Sequence, residues 1–156
     1  MKTLYEILKQ RPVYLNDWAE GKKIQLVSDF EGIYMSKSEY EAKEAPYPNI
    51  DSWKRRKIEM KEALKKYSDK KILFASYGYA NYSGDAWVLF EKEGKLFEVN
   101  GYHCSCYGLE GQFEPEETDL KALEFRLQKG TWGLDDWSDN NFREELIKFL
   151  GVKLTL

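Results

Sequence analysis

Residues 86–101, AWVLFEKEGKLFEVNG, constrain the fold of this chain more than any other stretch. Two runs of alternating apolar residues flank Glu93-Gly94, a pair suited to the two-residue turn of a β-hairpin. A turn of that length fixes the register. It places Phe90 opposite Phe97, Val88 opposite Val99 and Ala86 opposite Gly101, all on one face. The other face carries Trp87, Leu89, Glu98 and Asn100, half of them apolar, which calls for a partial cover.

Further elements are read on either side of the hairpin. Residues 71–77, KILFASY, form a short apolar strand, joined to the hairpin by a Gly- and Asn-rich connection, GYANYSGD. Thr3 with Glu6 reads as a capping box opening a short helix, and Ser36 with Glu39 as another before Pro46 and Pro48. Residues 23–28 and 31–35 are expected as short strands. Asp51 opens a stronger helix over 52–67, with Trp53, Met60, Leu64 and Tyr67 at helical spacing. Helical patterns return over 116–128, ended by Gly130, and near 140–150, capped by Ser138 or Asp139 and ended by Gly151. The expected architecture is one α+β domain, residues 1–156, with a small, mainly antiparallel sheet around 71–107 flanked by helices.

Composition supports a folded chain: 42% of residues are hydrophobic and 15% aromatic. The first ten residues are charged and amphipathic, and no apolar run is long enough to span a bilayer. A cytoplasmic, non-membrane protein is the expectation. Net charge is −3, but unevenly placed. Residues 1–80 carry +4 and residues 81–156 carry −7. Residues 96–120 hold no Lys or Arg and six carboxylates: Glu98, Glu110, Glu114, Glu116, Glu117 and Asp119. Such a window is either a solvated loop and helix start or a field that favours a cationic partner and disfavours direct DNA binding. The basic run Lys54, Arg55, Arg56, Lys57 occupies consecutive helical positions, fans around the axis, and so makes no nucleic-acid-binding face.

The one histidine and both cysteines lie in GYHCSCYG, residues 101–108. His103, Cys104 and Cys106 are the candidates for a Cys–His enzyme or a metal module. Strand alternation argues against a nucleophile–base pair, because it turns both cysteines to one face, expected to pack inward, and His103 to the other. Three ligands within four residues do not reach the corners of a tetrahedron, and no second ligand pair exists elsewhere, so no metal or cofactor is expected. A Cys104–Cys106 disulfide would be strained and out of place in a reducing compartment. No phosphate-binding glycine loop or dinucleotide fingerprint occurs.

Two aromatic segments remain as binding candidates. YGYANYSGD (77–85) sets Tyr77, Tyr79 and Tyr82 beside Asn81, Ser83 and Asp85, either as a tyrosine-rich contact loop or as rings that cap the edge of the core. TWGLDDWSDNN (131–141) sets Trp132 and Trp137 among Asp135, Asp136 and Asp139, a binding surface if the rings are exposed and a helix-connecting loop pinned to the core if they are buried.

The stretch GDAWVLFEKEGKLFEVNGYHCSCYGLEGQFEPEE (84–117), with LFASYGYANY (73–82) before it, resembles a family of small uncharacterised proteins of bacteriophages and mobile elements. The resemblance implies an accessory role in a bacterial host. It points to a stoichiometric inhibitor of a host or defence-system protein, of anti-CRISPR type and possible nucleic-acid mimicry. It assigns no residue a role. A Cys/His-centred module and a protein that sequesters a nucleotide signal stand as alternatives.

Overall fold

A computed structural model describes residues 1–135 and 137–155. The elements run in the order α1 (Leu4–Lys9), β1 (Val13–Asn16), α2 (Lys22–Glu31), α3 (Lys37–Glu41), α4 (Ile50–Lys66), β2 (Lys71–Ala80), β3 (Ser83–Lys92), β4 (Lys95–His103), β5 (Glu116–Thr118), α5 (Leu120–Gln128) and α6 (Arg143–Leu150). The five strands form one sheet in sequence order. β1 is parallel to β2 and every other pair is antiparallel. This is an α+β domain.

The hairpin register is the expected one: Phe90 pairs with Phe97, Val88 with Val99 and Ala86 with Gly101. Glu93 and Gly94 take φ of 53° and 79°, the left-handed pair a two-residue turn needs. Both faces of β3 are covered, so Ala86 through Phe90 are all buried. On one side Ala86, Val88 and Phe90 join Val99, Leu26, Val27, Phe30, Trp53 and Met60 under α2 and α4. On the other, Trp87 and Leu89 join Leu123, Leu127, Phe142, Leu146 and Ile7 under α1, α5 and α6. A β-bulge between Ile72 and Phe74 lets Leu73 and Phe74 both face this second core. A charged residue sits in that second layer. Glu98 is buried and accepts from Trp87 Nε1 (3.1 Å), Arg126 Nη1 (3.1 Å) and Arg126 Nη2 (2.6 Å).

Four expectations are corrected. Residues 23–28 and 31 are not strands; they belong to α2, and 32–35 are not strand either. Its β-branched Ile24 and Val27 mask a helical stripe of Leu26, Val27 and Phe30, and Gly32 ends it at φ 67°. Residues 77–85 are no loop: β2 and β3 run on to a two-residue turn at Asn81-Tyr82, with φ of 54° and 61°. Residues 116–118 are strand, and Asp119 caps α5 by accepting from Ala122 N–H at 2.8 Å. The last helix starts at Arg143 after Phe142, not at a Ser138 or Asp139 cap. Both capping boxes, at Thr3–Glu6 and Ser36–Glu39, are present. Among the described residues no helix is long and apolar enough to cross a membrane.

Candidate functional site

The second hairpin turn, the end of β4 and the loop before α6 meet at one end of the sheet. Residues 72–91, 96–120 and 130–142, which supply them, contain no Lys or Arg. The end has two faces.

On the α2–α4 face, His103 closes β4 opposite Gly84 of β3. A Cβ at residue 84 would lie 2.2 Å from the imidazole Cε1 and Nδ1, so the ring rests directly on the glycine backbone. The Tyr77 hydroxyl bonds Nδ1, and Tyr79 stacks on the ring at 4.8 Å. Tyr77 packs on Trp18 at 5.1 Å, and Trp18 Nε1 donates to Asp29 Oδ2 at 2.7 Å. Gln25 Nε2 donates to Asp29 Oδ1 at 3.1 Å. Burial pushes His103 below its ordinary value, against the pull of Asp29 and Asp17. Burial likewise raises Tyr77 and Asp29 above theirs. A phenol with a raised pKa keeps its proton, so Tyr77 donates to Nδ1 of a neutral imidazole.

This arrangement corrects the reading of GYHCSCYG. His103 is the buried member, while Cys104 is half-buried and Cys106 exposed. The strand ends at His103, and a Cys104–Tyr107 bridge closes a turn over Ser105 and Cys106, so alternation no longer carries the cysteines into the core. Gln112 fixes the segment: it accepts from Tyr102 N–H (2.8 Å) and donates to the carbonyls of Tyr102 (2.7 Å) and Gly108 (2.8 Å). Among the described residues, no hydrogen bond joins His103 to either thiol, and no group of three or more His, Cys, Asp or Glu is placed to hold a metal.

On the opposite face, Asp85 of β3 pairs across the sheet with Tyr102. Asp85 and Asp135, fifty positions apart in sequence, come together over a cavity of about 250 Å³ lined also by Trp87, Asn100, Trp132 and Asn140. Burial, with the Asp135 charge beside it, pushes Asp85 up to about 6. Burial acts on Asp135 too. Hydrogen bonds from the Ser138 hydroxyl and the N–H groups of Ser138 (3.2 Å) and Trp137 (3.0 Å) outweigh it and hold Asp135 below its usual value. The loop is pinned from beneath. Asn140 Oδ1 accepts from Ser76 Oγ at 2.5 Å, and Ser76 Oγ accepts from Asn16 Nδ2 at 2.8 Å. A Cβ on Gly78 would stand 2.4 Å from the Asn140 nitrogen. Asn81 Nδ2 donates to the Trp137 carbonyl at 2.7 Å, tying the loop to the hairpin turn.

The other candidates scatter. Tyr79 and Tyr82 are exposed at this end, joined by Tyr102, Tyr107 and Trp137. Trp132 is instead a packing residue, edge-on to Trp87 at 5.2 Å and covered by the Arg126 guanidinium at 4.1 Å. Glu110 accepts from Tyr34 at 3.3 Å beside α2. Glu114 is exposed in the loop before β5. Glu116, Glu117 and Asp119 lie toward the opposite end, Glu117 within 3.9 Å of Lys95. The acidic window is thus not one surface. Asp136 lies outside the described residues. Arg56 and Lys57 staple α4 to the segment before it, through Tyr34 O, Tyr47 Oη and Ala42 O. Sequence reasoning singled out Tyr77 only as part of the 77–85 segment, and missed Asp29, Trp18 and Asn140. One signal was available: a glycine inside a strand pattern, Gly84, marks close approach of another group.

No family model, no curated protein and no solved structure matches the chain.

Proposed function

We propose that this chain is a non-catalytic binding protein that engages a cationic protein partner, mole for mole, through the aromatic end of its sheet. The observation that carries this reading is the gathering of Tyr79, Tyr82, Tyr102, Tyr107 and Trp137, all exposed, on segments that hold no Lys or Arg. Tyrosine and tryptophan give large contact area at low entropic cost and are enriched at interface centres. The carboxylates of Asp85 and Asp135 give that surface a negative rim, which steers a basic partner. The hydrogen-bonded anchors at Asn81, Gln112 and Asn140 hold the surface ready-made, which lowers the ordering cost of association. In the setting the phage-type resemblance implies, the partner is a host or defence protein in the bacterial cytoplasm, and the action is inhibitory.

The test compares three immobilised proteins challenged with host lysate. These are the wild type, a Tyr82→Ala/Tyr102→Ala/Trp137→Ala variant, and a Lys92→Glu control at the far end of the sheet. The reading expects one basic protein retained at equal stoichiometry by wild type and control, released as salt rises, and lost from the triple variant. Retention undiminished in the triple variant, or catalytic turnover by sub-stoichiometric protein, would overturn it.

A further inference from the structure

Cys104 and Cys106 sit in a turn whose geometry suits a different chemistry. Both are free thiols, Cys104 half-buried and Cys106 exposed. The Cys104–Tyr107 bridge closes the turn around Ser105 and Cys106. The Cys106 N–H donates to Cys104 Sγ at 3.4 Å, so the backbone that carries the second thiol already contacts the first sulfur. The segment 96–120 offers no Lys or Arg to hold a thiolate. The backbone N–H groups do that work instead, as they do for anions in other backbone concavities.

We propose that Cys104 and Cys106 form a reversible redox dithiol, with Cys104 as the attacking thiolate and Cys106 as the resolving thiol. The N–H groups of Cys106 and Tyr107 lower the Cys104 thiol below its ordinary value, which favours the thiolate as nucleophile. The oxidant is a peroxide. The Cys104 thiolate attacks the hydroxyl-bearing peroxide oxygen, the O–O bond breaks, and Cys104 becomes a sulfenic acid as hydroxide, or alkoxide from an organic peroxide, leaves and takes up a proton. The Cys106 sulfur, losing its proton, then attacks the Cys104 sulfur. The S–S bond forms, the S–O bond breaks, and the departing oxygen takes up the proton as water. Two thiols lose two electrons, and the peroxide is reduced to water or, for an organic peroxide, to water and an alcohol. A disulfide between cysteines only two residues apart is strained, and strained, exposed disulfides are the readily reduced ones. Strain, which speaks against a permanent bridge, makes a transient one reversible in a reducing compartment. Low thiol pKa, exposure and a neighbouring resolving thiol are the marks of a redox-sensor cysteine. This chemistry is independent of what the aromatic end binds.

The test is intact-mass analysis of the full chain after mild hydrogen peroxide, without reductant, beside Cys104→Ser and Cys106→Ser variants. Wild type is expected to lose the mass of two hydrogens, recovered on adding a dithiol reductant. Cys106→Ser is expected to stop at a sulfenic acid that dimedone labels on Cys104, and Cys104→Ser to take no label at the same dose. Labelling of Cys106 in Cys104→Ser to the same extent would overturn the assignment. So would sulfinic acid or cross-linked dimers in place of the internal bridge in wild type. Because both side chains lie in a surface turn, each serine variant is expected to keep the wild-type circular dichroism.

Discussion

Two residues of β3 at the aromatic end each give a measurable expectation. Gly84 is the floor on which His103 lies, with no room for a methyl group. Gly84→Ala forces the imidazole off β3 and breaks the Tyr77 bond. A loss of about 1–3 kcal/mol in urea unfolding is expected, the usual cost of overpacking a fitted site, together with a moved His103 Hε1 resonance. Unchanged stability and resonance would show that the ring does not rest there. Asp85 gives a pH signature. In the folded protein it keeps its proton up to about pH 6, whereas the unfolded carboxyl releases it near 3.8. Between those values the folded state binds more protons, so stability falls as pH rises through the window. A shift of that size is worth about 3 kcal/mol when fully realised, and the half-exposure of Asp85 brings it nearer to about 1–2 kcal/mol. Asp85→Asn is therefore expected to be more stable than wild type by about that much at pH 7, and by little at pH 4. Denaturation series at the two pH values check the sign.

At the scale of elements, the second core depends on a charge pair. The Glu98 carboxylate lies beneath Trp87 and is met by both terminal nitrogens of Arg126 on α5. Arg126→Leu leaves that carboxylate buried without its cation, though still bonded to Trp87 and Asn100, and a loss of about 1–3 kcal/mol is expected. The double variant Arg126→Leu/Glu98→Leu should recover most of it in the same unfolding assay. A double variant as weak as the single one would place the cost in lost packing over Trp132 instead. The element scale also separates what was legible in the sequence from what was not. The β3–β4 hairpin was legible because period-two alternation and turn chemistry agree on one register. Its sister, β2–β3, was hidden because Asn81-Tyr82 puts a tyrosine at φ 61°, and bulky side chains seldom occupy that conformation. Helix α2 was hidden because packing under α4 overrides the strand preference of Ile24 and Val27. The candidate site was legible at Tyr79, Tyr82, Asp85 and Asp135 as residue types. The Asp85–Asp135 meeting was not, because it rests on Asn140 reaching Ser76 and Asn16 across more than sixty residues of chain. No local pattern records such a contact. His103 lies on the buried face of Val99 and Gly101, as the hairpin register carried two residues further requires; only the cysteines, past the end of the strand, escape the alternation.

At the scale of the whole molecule, the sheet gives the charge asymmetry of the chain a direction. Lys71, Lys92 and Lys95 stand at one end of β2, β3 and β4, close to Asp69 and Glu117. The hairpin turn at Asn81-Tyr82 and the end of β4 mark the other end, where the cation-free segments present their exposed rings and the Asp85–Asp135 pair. On the proposed reading a basic partner docks on that end, and its association rate should fall with ionic strength. Hydrogen exchange of the captured complex tests this most directly, because backbone protection reports which end is covered. Slowed exchange is predicted across 77–85, 101–108 and 131–142, with 91–96 and α4 unchanged. Protection confined to α4 or to the Lys92–Lys95 end would contradict the assignment of the aromatic end as the binding surface.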